Sequence, residues 1–191
     1  ADHLLGRRRD AEYVGTVLAA WATRYLPEEE PEESREELRV GEVLVDGNTS
    51  GLLQEVRARG HLLSADEPLS VGGSDLGLTP YELLLAGLGA CTSMTLKLYA
   101  DRKGWPLKRV KVRLRHDHIH AQDCHDCDKE TGKIDVIEKD LALEGPLDQQ
   151  QRDRLFEIAA RCPVHRTLLN EIKIRSTLLP ADPAQQDAAH E

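Results

Sequence analysis

The chain has 191 residues, enough for one domain of about 140 residues with extensions and a properly buried core. Its net charge of −9 excludes functions that rest on attraction to nucleic acid or to an anionic membrane surface. No signal-peptide pattern stands out, so the expected setting is cytoplasmic; four cysteines in such a chain point to catalytic or metal-bound thiols before structural disulfides.

Residues 10–26, DAEYVGTVLAAWATRYL, predict an amphipathic helix capped by Asp10, with Val14, Val17, Leu18, Trp21 and Leu26 on one face. Residues 28–37 are acidic, proline-broken and without apolar period, which marks a linker between a segment 1–27 and a domain 38–180. From Leu38 the period becomes two. Residues 40–45, 52–59 and 61–65 predict short antiparallel strands, with turns at Asp46-Gly47-Asn48 and around Gly60. Residues 67–78, EPLSVGGSDLGL, form a glycine-rich loop; no strand feeds into its glycines, so they read as turn chemistry and not as a phosphate cradle.

Residues 79–103 predict a long central helix. Thr79 caps it, Pro80 suits the first turn, and Glu82 completes a capping box. Its body is apolar all round, which predicts burial; Lys97, Asp101, Arg102 and Lys103 charge its end and argue against a membrane span. Gly87 and Gly89 each cost about 1 kcal/mol relative to Ala there, and suggest close approach by another backbone. Cys91 stands in the middle.

Gly104-Trp105-Pro106 stops the helix. Residues 107–119 alternate, with Val110, Val112 and Leu114 on one face and Arg109, Lys111, Arg113 and Arg115 on the other. Residues 133–144 predict a second long strand, and together the two make a hairpin with a large loop. A helix from Asp148 carries Leu155, Ile158 and Ala159 and breaks at Arg161-Cys162-Pro163. A short helix over 163–170 and a last strand through Ile172 and Ile174 follow, then a polar tail over 181–191 that is expected to be disordered. The order is that of an α+β chain with antiparallel sheets and a buried central helix.

Read alone, Cys91 and Cys162 are small buried hydrophobes. A helix start and the neighbours Arg161, His165 and Arg166 would nevertheless stabilise a thiolate at Cys162. Read together, the run Pro80 through Thr92, PYELLLAGLGACT, and the later Cys162-Pro163-Val164-His165 resemble the OsmC/Ohr family. The resemblance covers element order as well as motif. It implies an intertwined homodimer with active sites at the subunit interface. It also implies a thiol-dependent peroxidase acting on organic hydroperoxides. Cys91 would attack and become a sulfenic acid, and Cys162 would resolve it as a disulfide. A dithiol or lipoyl reductant would complete the cycle, and no cofactor would be needed. Peroxidases of that family carry a glutamate directly after the motif proline, paired with an activating arginine from an N-terminal strand. Here that position is Tyr81, and Glu82 lies one residue on, a rotation of about 100°. Arg39, Arg57 and Arg59 can supply the arginine, with Arg57 or Arg59 following from the alternation.

Residues 115–127 read RHDHIHAQDCHDC. His116, His118 and His120 alternate on a strand and so share a face, and Cys124 and Cys127 make a C-x-x-C. Three readings stand: a metal site, a second redox pair, or a polar loop with free thiols. Finally, Ala1-Asp2-His3-Leu4-Leu5 before a helix resembles the end of an α/β-hydrolase, whose triad histidine His3 would be. No G-x-S-x-G elbow is present to serve it, so the expectation is the C-terminal part of a hydrolase fusion. A linker histidine is the alternative. The expected function is therefore a cysteine hydroperoxide reductase. The alternative is a non-catalytic or metal-binding OsmC-like module attached to a hydrolase.

Overall fold

A computed structural model describes residues 7–22, 37–47, 50–120 and 131–180. His3, Cys124, Cys127 and the tail lie outside them. The chain falls into two compact units, one of residues 1–45 with 56–62, the other of residues 46–55 with 63–191.

The first helix, α1, spans Arg8–Ala22, so it begins before Asp10, which lies in its first turn instead of capping it. Three short strands, β1 (Leu44–Asp46), β2 (Gln54–Ala58) and β3 (His61–Ala65), form a sheet in chain order. The expected strand over 40–45 shrinks to β1, because Gly41 takes a φ of 93° and Glu42 N–H closes a turn onto the Arg39 carbonyl. The turn between β2 and β3 bends at Arg59, whose φ is 55°.

The glycine-rich loop is organised by one buried carboxylate. Asp66 accepts hydrogen bonds from the backbone N–H of Glu67 at 2.8 Å, of Ser74 at 3.0 Å and of Leu76 at 3.1 Å, and from the Ser74 hydroxyl at 2.7 Å. Donation from Ser74 leads the effects that hold its carboxyl below the ordinary value, against the opposing push of burial. A parallel bridge from Ala65 to Leu78 closes the loop and delivers the chain to the central helix.

That helix, α2, spans Pro80–Lys103, and its capping box is formed as the sequence requires. Gly104 ends it at a φ of 66°, the left-handed conformation that glycine adopts without a Cβ penalty. Then come the paired strands β4 (Arg109–His120) and β5 (Lys133–Glu144), α3 (Gln149–Ala159) and α4 (Pro163–Leu168). β4 and β5 are antiparallel from Arg109↔Glu144 to His120↔Lys133. Their outer face matches the basic strand with an acidic one: Arg115 binds Glu138 and Asp140, each at 3.0 Å, and Lys111 binds Glu144 at 3.1 Å.

α2 is long and apolar enough to cross a membrane on composition alone, yet here it packs against β4, α3 and α4 as the central helix. Leu88, Thr92, Leu96 and Ala100, spaced by four, form its buried stripe. Leu96 and Ala100 join Leu107, Leu147, Leu155, Ile158 and Ala159 in the core. Full burial of a leucine such as Leu96 or Leu155 contributes roughly 1.5–3 kcal/mol.

Within one chain, Met94 and Leu98 on α2 are 64% and 65% exposed. A Cβ at Gly89 would meet the side chain of Leu114 at 2.9 Å, and one at Gly87 would meet open space, so the backbone expected against these glycines is not supplied by the described residues of this chain. The last strand is also absent, residues 171–180 having no regular structure, with Ile174 88% exposed. An alternating segment becomes a strand only by pairing, and this one pairs with neither sheet among the described residues.

Candidate functional site

The break between α3 and α4 is where the two motif cysteines meet. Asp148 starts α3 with a capping box on Gln151, fixing where the helix begins and hence where Ala160 and Arg161 leave it. Pro163 then takes the first position of α4, so Cys162 becomes the cap of that helix. Its sulfur accepts from the backbone N–H of His165 at 3.4 Å. The Thr92 hydroxyl, one residue past Cys91 on the buried stripe of α2, lies 3.5 Å from the same sulfur. Cys91 lies close enough to be among the groups that lower the Cys162 thiol. Both cysteines are free thiols; Cys162 is fully buried, whereas Cys91 is half-buried.

Lys139 supplies the charge. It occupies an inward position of β5, opposite Leu114. Its ammonium donates to the Ala159 carbonyl at 2.9 Å, at the end of α3, where a cation suits the helix dipole. Burial pushes the Cys162 thiol up, but donation by Thr92, by the His165 N–H and by Cys91, with the field of Lys139, outweighs it and leaves the thiol below its ordinary value. Lys139 itself is pulled down by burial and partly restored by Cys162. His165 is held low by burial and then by Lys139, which favours its neutral ring.

A cavity of about 440 Å³ adjoins this corner, lined among others by Tyr81, Leu84, His116, Asp135, Lys139 and His165. Tyr81 stacks on His116, ring centres 4.2 Å apart and 12° between planes. His116, His118 and Asp135 cluster at its edge. His120, two places further along β4, is exposed and outside that cluster.

The sequence-expected residues are thus divided. Cys91 and Cys162 come together. Glu82 is engaged at the helix cap, where its carboxylate accepts from the Thr79 N–H at 2.8 Å. Arg57 is half-buried on β2, while Arg39 and Arg59 are exposed, and all three belong to the other compact unit. Thr92, Lys139 and Asp135 were not anticipated. The signal for the last two was in the alternation: inward positions of β5 read Leu143, Leu141, Lys139, Ile137, Asp135, two charged residues in phase with an apolar set.

The family of OsmC-like proteins matches residues 72–177. That is more than half of the chain, and the chain belongs to this family. Solved structures with the same fold include an osmotic stress induced and detoxification response protein from Psychrobacter arcticus. It has a TM-score of 0.53 and 14% identity, over 70% of this chain and 90% of that one. An OsmC-like protein from Mycoplasma pneumoniae gives 0.53 and 18%, over 71% and 89%. An organic hydroperoxide resistance protein from Legionella pneumophila gives 0.50 and 17%, over 69% and 91%. No protein of curated function matches the sequence.

Proposed function

We propose that the protein is a thiol-dependent peroxidase that reduces organic hydroperoxides through Cys91 and Cys162. The observation that carries this reading is that Thr92, the residue next to Cys91 on α2, reaches Cys162 Sγ at 3.5 Å, which brings two free cysteines to one corner, one half-buried and one buried. The Cys91 thiolate attacks the hydroperoxide O–O bond; an S–O bond forms, the O–O bond breaks, and the alkoxide leaves and is protonated. The Cys162 thiolate then attacks the sulfenic sulfur and displaces hydroxide, giving a disulfide. A dithiol or lipoyl reductant returns both to thiols. The family and the hydroperoxide-resistance role named for the Legionella relative support this chemistry. The apolar neighbours of Cys91 on α2 favour an organic peroxide over hydrogen peroxide.

The reading includes a homodimer. Leu84, Met94 and Leu98 on α2 are 39%, 64% and 65% exposed, an apolar face that a second copy would cover. Light scattering at micromolar concentration should give twice the chain mass, and a clean monomer would contradict it.

The deciding experiment adds one equivalent of an alkyl hydroperoxide to the reduced protein and maps its thiols by mass spectrometry. A Cys91–Cys162 disulfide with release of the alcohol is expected. Four intact thiols after excess hydroperoxide would defeat the proposal.

A further inference from the structure

The hairpin carries a second constellation in which neither motif cysteine takes part. His116 and His118 stand two residues apart on β4, so their rings leave the same face. Asp135 on β5 is the register partner of His118. His116 Nε2 lies 2.7 Å from Asp135 Oδ1, and His118 Nδ1 lies 3.0 Å from the same oxygen. The three potential ligand atoms all fall within 4.8 Å of one another.

The support around them is stiff. Both strands belong to a ladder paired continuously over 12 residues each. Tyr81 covers the His116 ring by stacking and meets His118 edge-on at 6.2 Å, while the two imidazoles meet edge-on at 4.9 Å. The cluster is still reachable: side-chain exposure rises from 11% at His116 to 49% at His118 and 62% at Asp135.

Two imidazoles and a carboxylate are the donor set that zinc-type ions accept, with bonds of about 2.0–2.2 Å. Ligands at the corners of a tetrahedron with such bonds lie about 3.3 Å apart. The distances of 2.7 and 3.0 Å open by about 0.6 and 0.3 Å to admit an ion, and the two imidazole nitrogens, within 4.8 Å of each other, adjust by side-chain rotation. Pairing alone explains less. Both rings would have to direct an N–H at one carboxylate oxygen, His116 through Nε2 and His118 through Nδ1.

We propose that His116, His118 and Asp135 bind a divalent transition-metal ion of the zinc type, with three protein ligands and a fourth position left for water or a small molecule. His116 and Asp135 also line the cavity shared with Lys139 and His165, so a ligand on that fourth position is drawn from the cavity. Tyr81 acts as a positioning residue that fixes the His116 ring.

The test uses the full chain, stripped of metal and titrated with Zn²⁺ by calorimetry and with Co²⁺ by visible absorption. One ion per chain is expected, with the absorption of a four-coordinate Co²⁺ and no thiolate charge-transfer band. His118→Ala and Asp135→Asn should each lower the affinity about 100-fold or more. His120→Ala and the pair Cys124→Ser/Cys127→Ser should leave it unchanged. In the unsubstituted protein, the imidazole nitrogen resonances of His116 and His118 should move on adding Zn²⁺. That readout holds even if a variant folds poorly. Absence of stoichiometric binding at micromolar Zn²⁺ overturns the proposal. So does a thiolate band that vanishes in the cysteine pair variant, or zinc binding with the His116 and His118 resonances unmoved.

Discussion

The middle of α2 and the corner between α3 and α4 hold one free cysteine each, in opposite physical settings. Cys91 sits in the interior of a 24-residue helix, where the local backbone donors are already spent on the helix ladder. Cys162 caps a helix, where a backbone N–H is free to reach its sulfur, and it adds a buried hydroxyl and a nearby ammonium. The less solvated cysteine is the better activated one, and the more accessible cysteine lies in the plainer setting. Access and activation are thereby separated. Under the proposed mechanism, the half-buried thiol meets the peroxide and the buried one waits for the product of that meeting.

The largest expected effect tests that division of labour directly. Cys91→Ser should abolish hydroperoxide consumption. Cys162→Ser should allow one turnover and stop at a sulfenic acid on Cys91, trapped by a dimedone-type reagent and located by mass spectrometry. Labelling of Cys162 in the Cys91→Ser protein, with full first-turnover activity, would reverse the two roles.

A smaller effect sharpens the electrostatic half of the comparison. Lys139→Met removes the cation beside Cys162. The thiol is now held below its ordinary value, so losing Lys139 moves its titration upward. Disulfide formation after a hydroperoxide pulse should become several-fold slower at neutral pH and recover as pH rises through the new midpoint. Lys139→Arg, which keeps the charge, should stay near the original profile. A purely structural loss, from the broken bond to the Ala159 carbonyl, would slow the reaction at every pH alike. An unchanged profile in Lys139→Met would remove the lysine from the mechanism.

How far this site could be read beforehand follows from the same contrast. The helix starts were legible because capping is local: Thr79 with Glu82, and Pro163 after Cys162, act within one turn. The hairpin was legible because a regular alternation over residues 109–115 marks its first strand, and the register with the second then runs unbroken. The role of Lys139 was not, for it depends on which face of β5 turns inward and on where α3 ends. Both are tertiary facts, and a lysine in an apolar phase is only a hint of them. Asp135 escaped in the same way. It was read as part of a strand, and only the pairing of His118 with it across the hairpin makes it a neighbour. The segment around Ile172 and Ile174 shows the reverse failure. Its alternation was clear, but a strand requires a pairing partner, and alternation says nothing about whether the chain brings the segment to one.

The smallest expected change to the fold concerns Thr92, the one polar residue on the buried stripe of α2. Its hydroxyl is 3.5 Å from Cys162 Sγ, an ordinary separation for a hydrogen bond to sulfur, and its donation leads the effects that lower the thiol against burial. Thr92→Val keeps the branched shape and removes only the hydroxyl. Stability should change by about 1 kcal/mol or less, since a donor and a polarisable acceptor are lost from one buried contact. The pH profile of disulfide formation should move in the same direction as in Lys139→Met. The two changes act on one sulfur, so the double variant is expected to depart from additivity, and a double-mutant cycle on the apparent midpoint measures by how much. Strict additivity would mean that the lysine and the threonine reach the thiolate independently, and that the corner between α3 and α4 is not a single electrostatic unit.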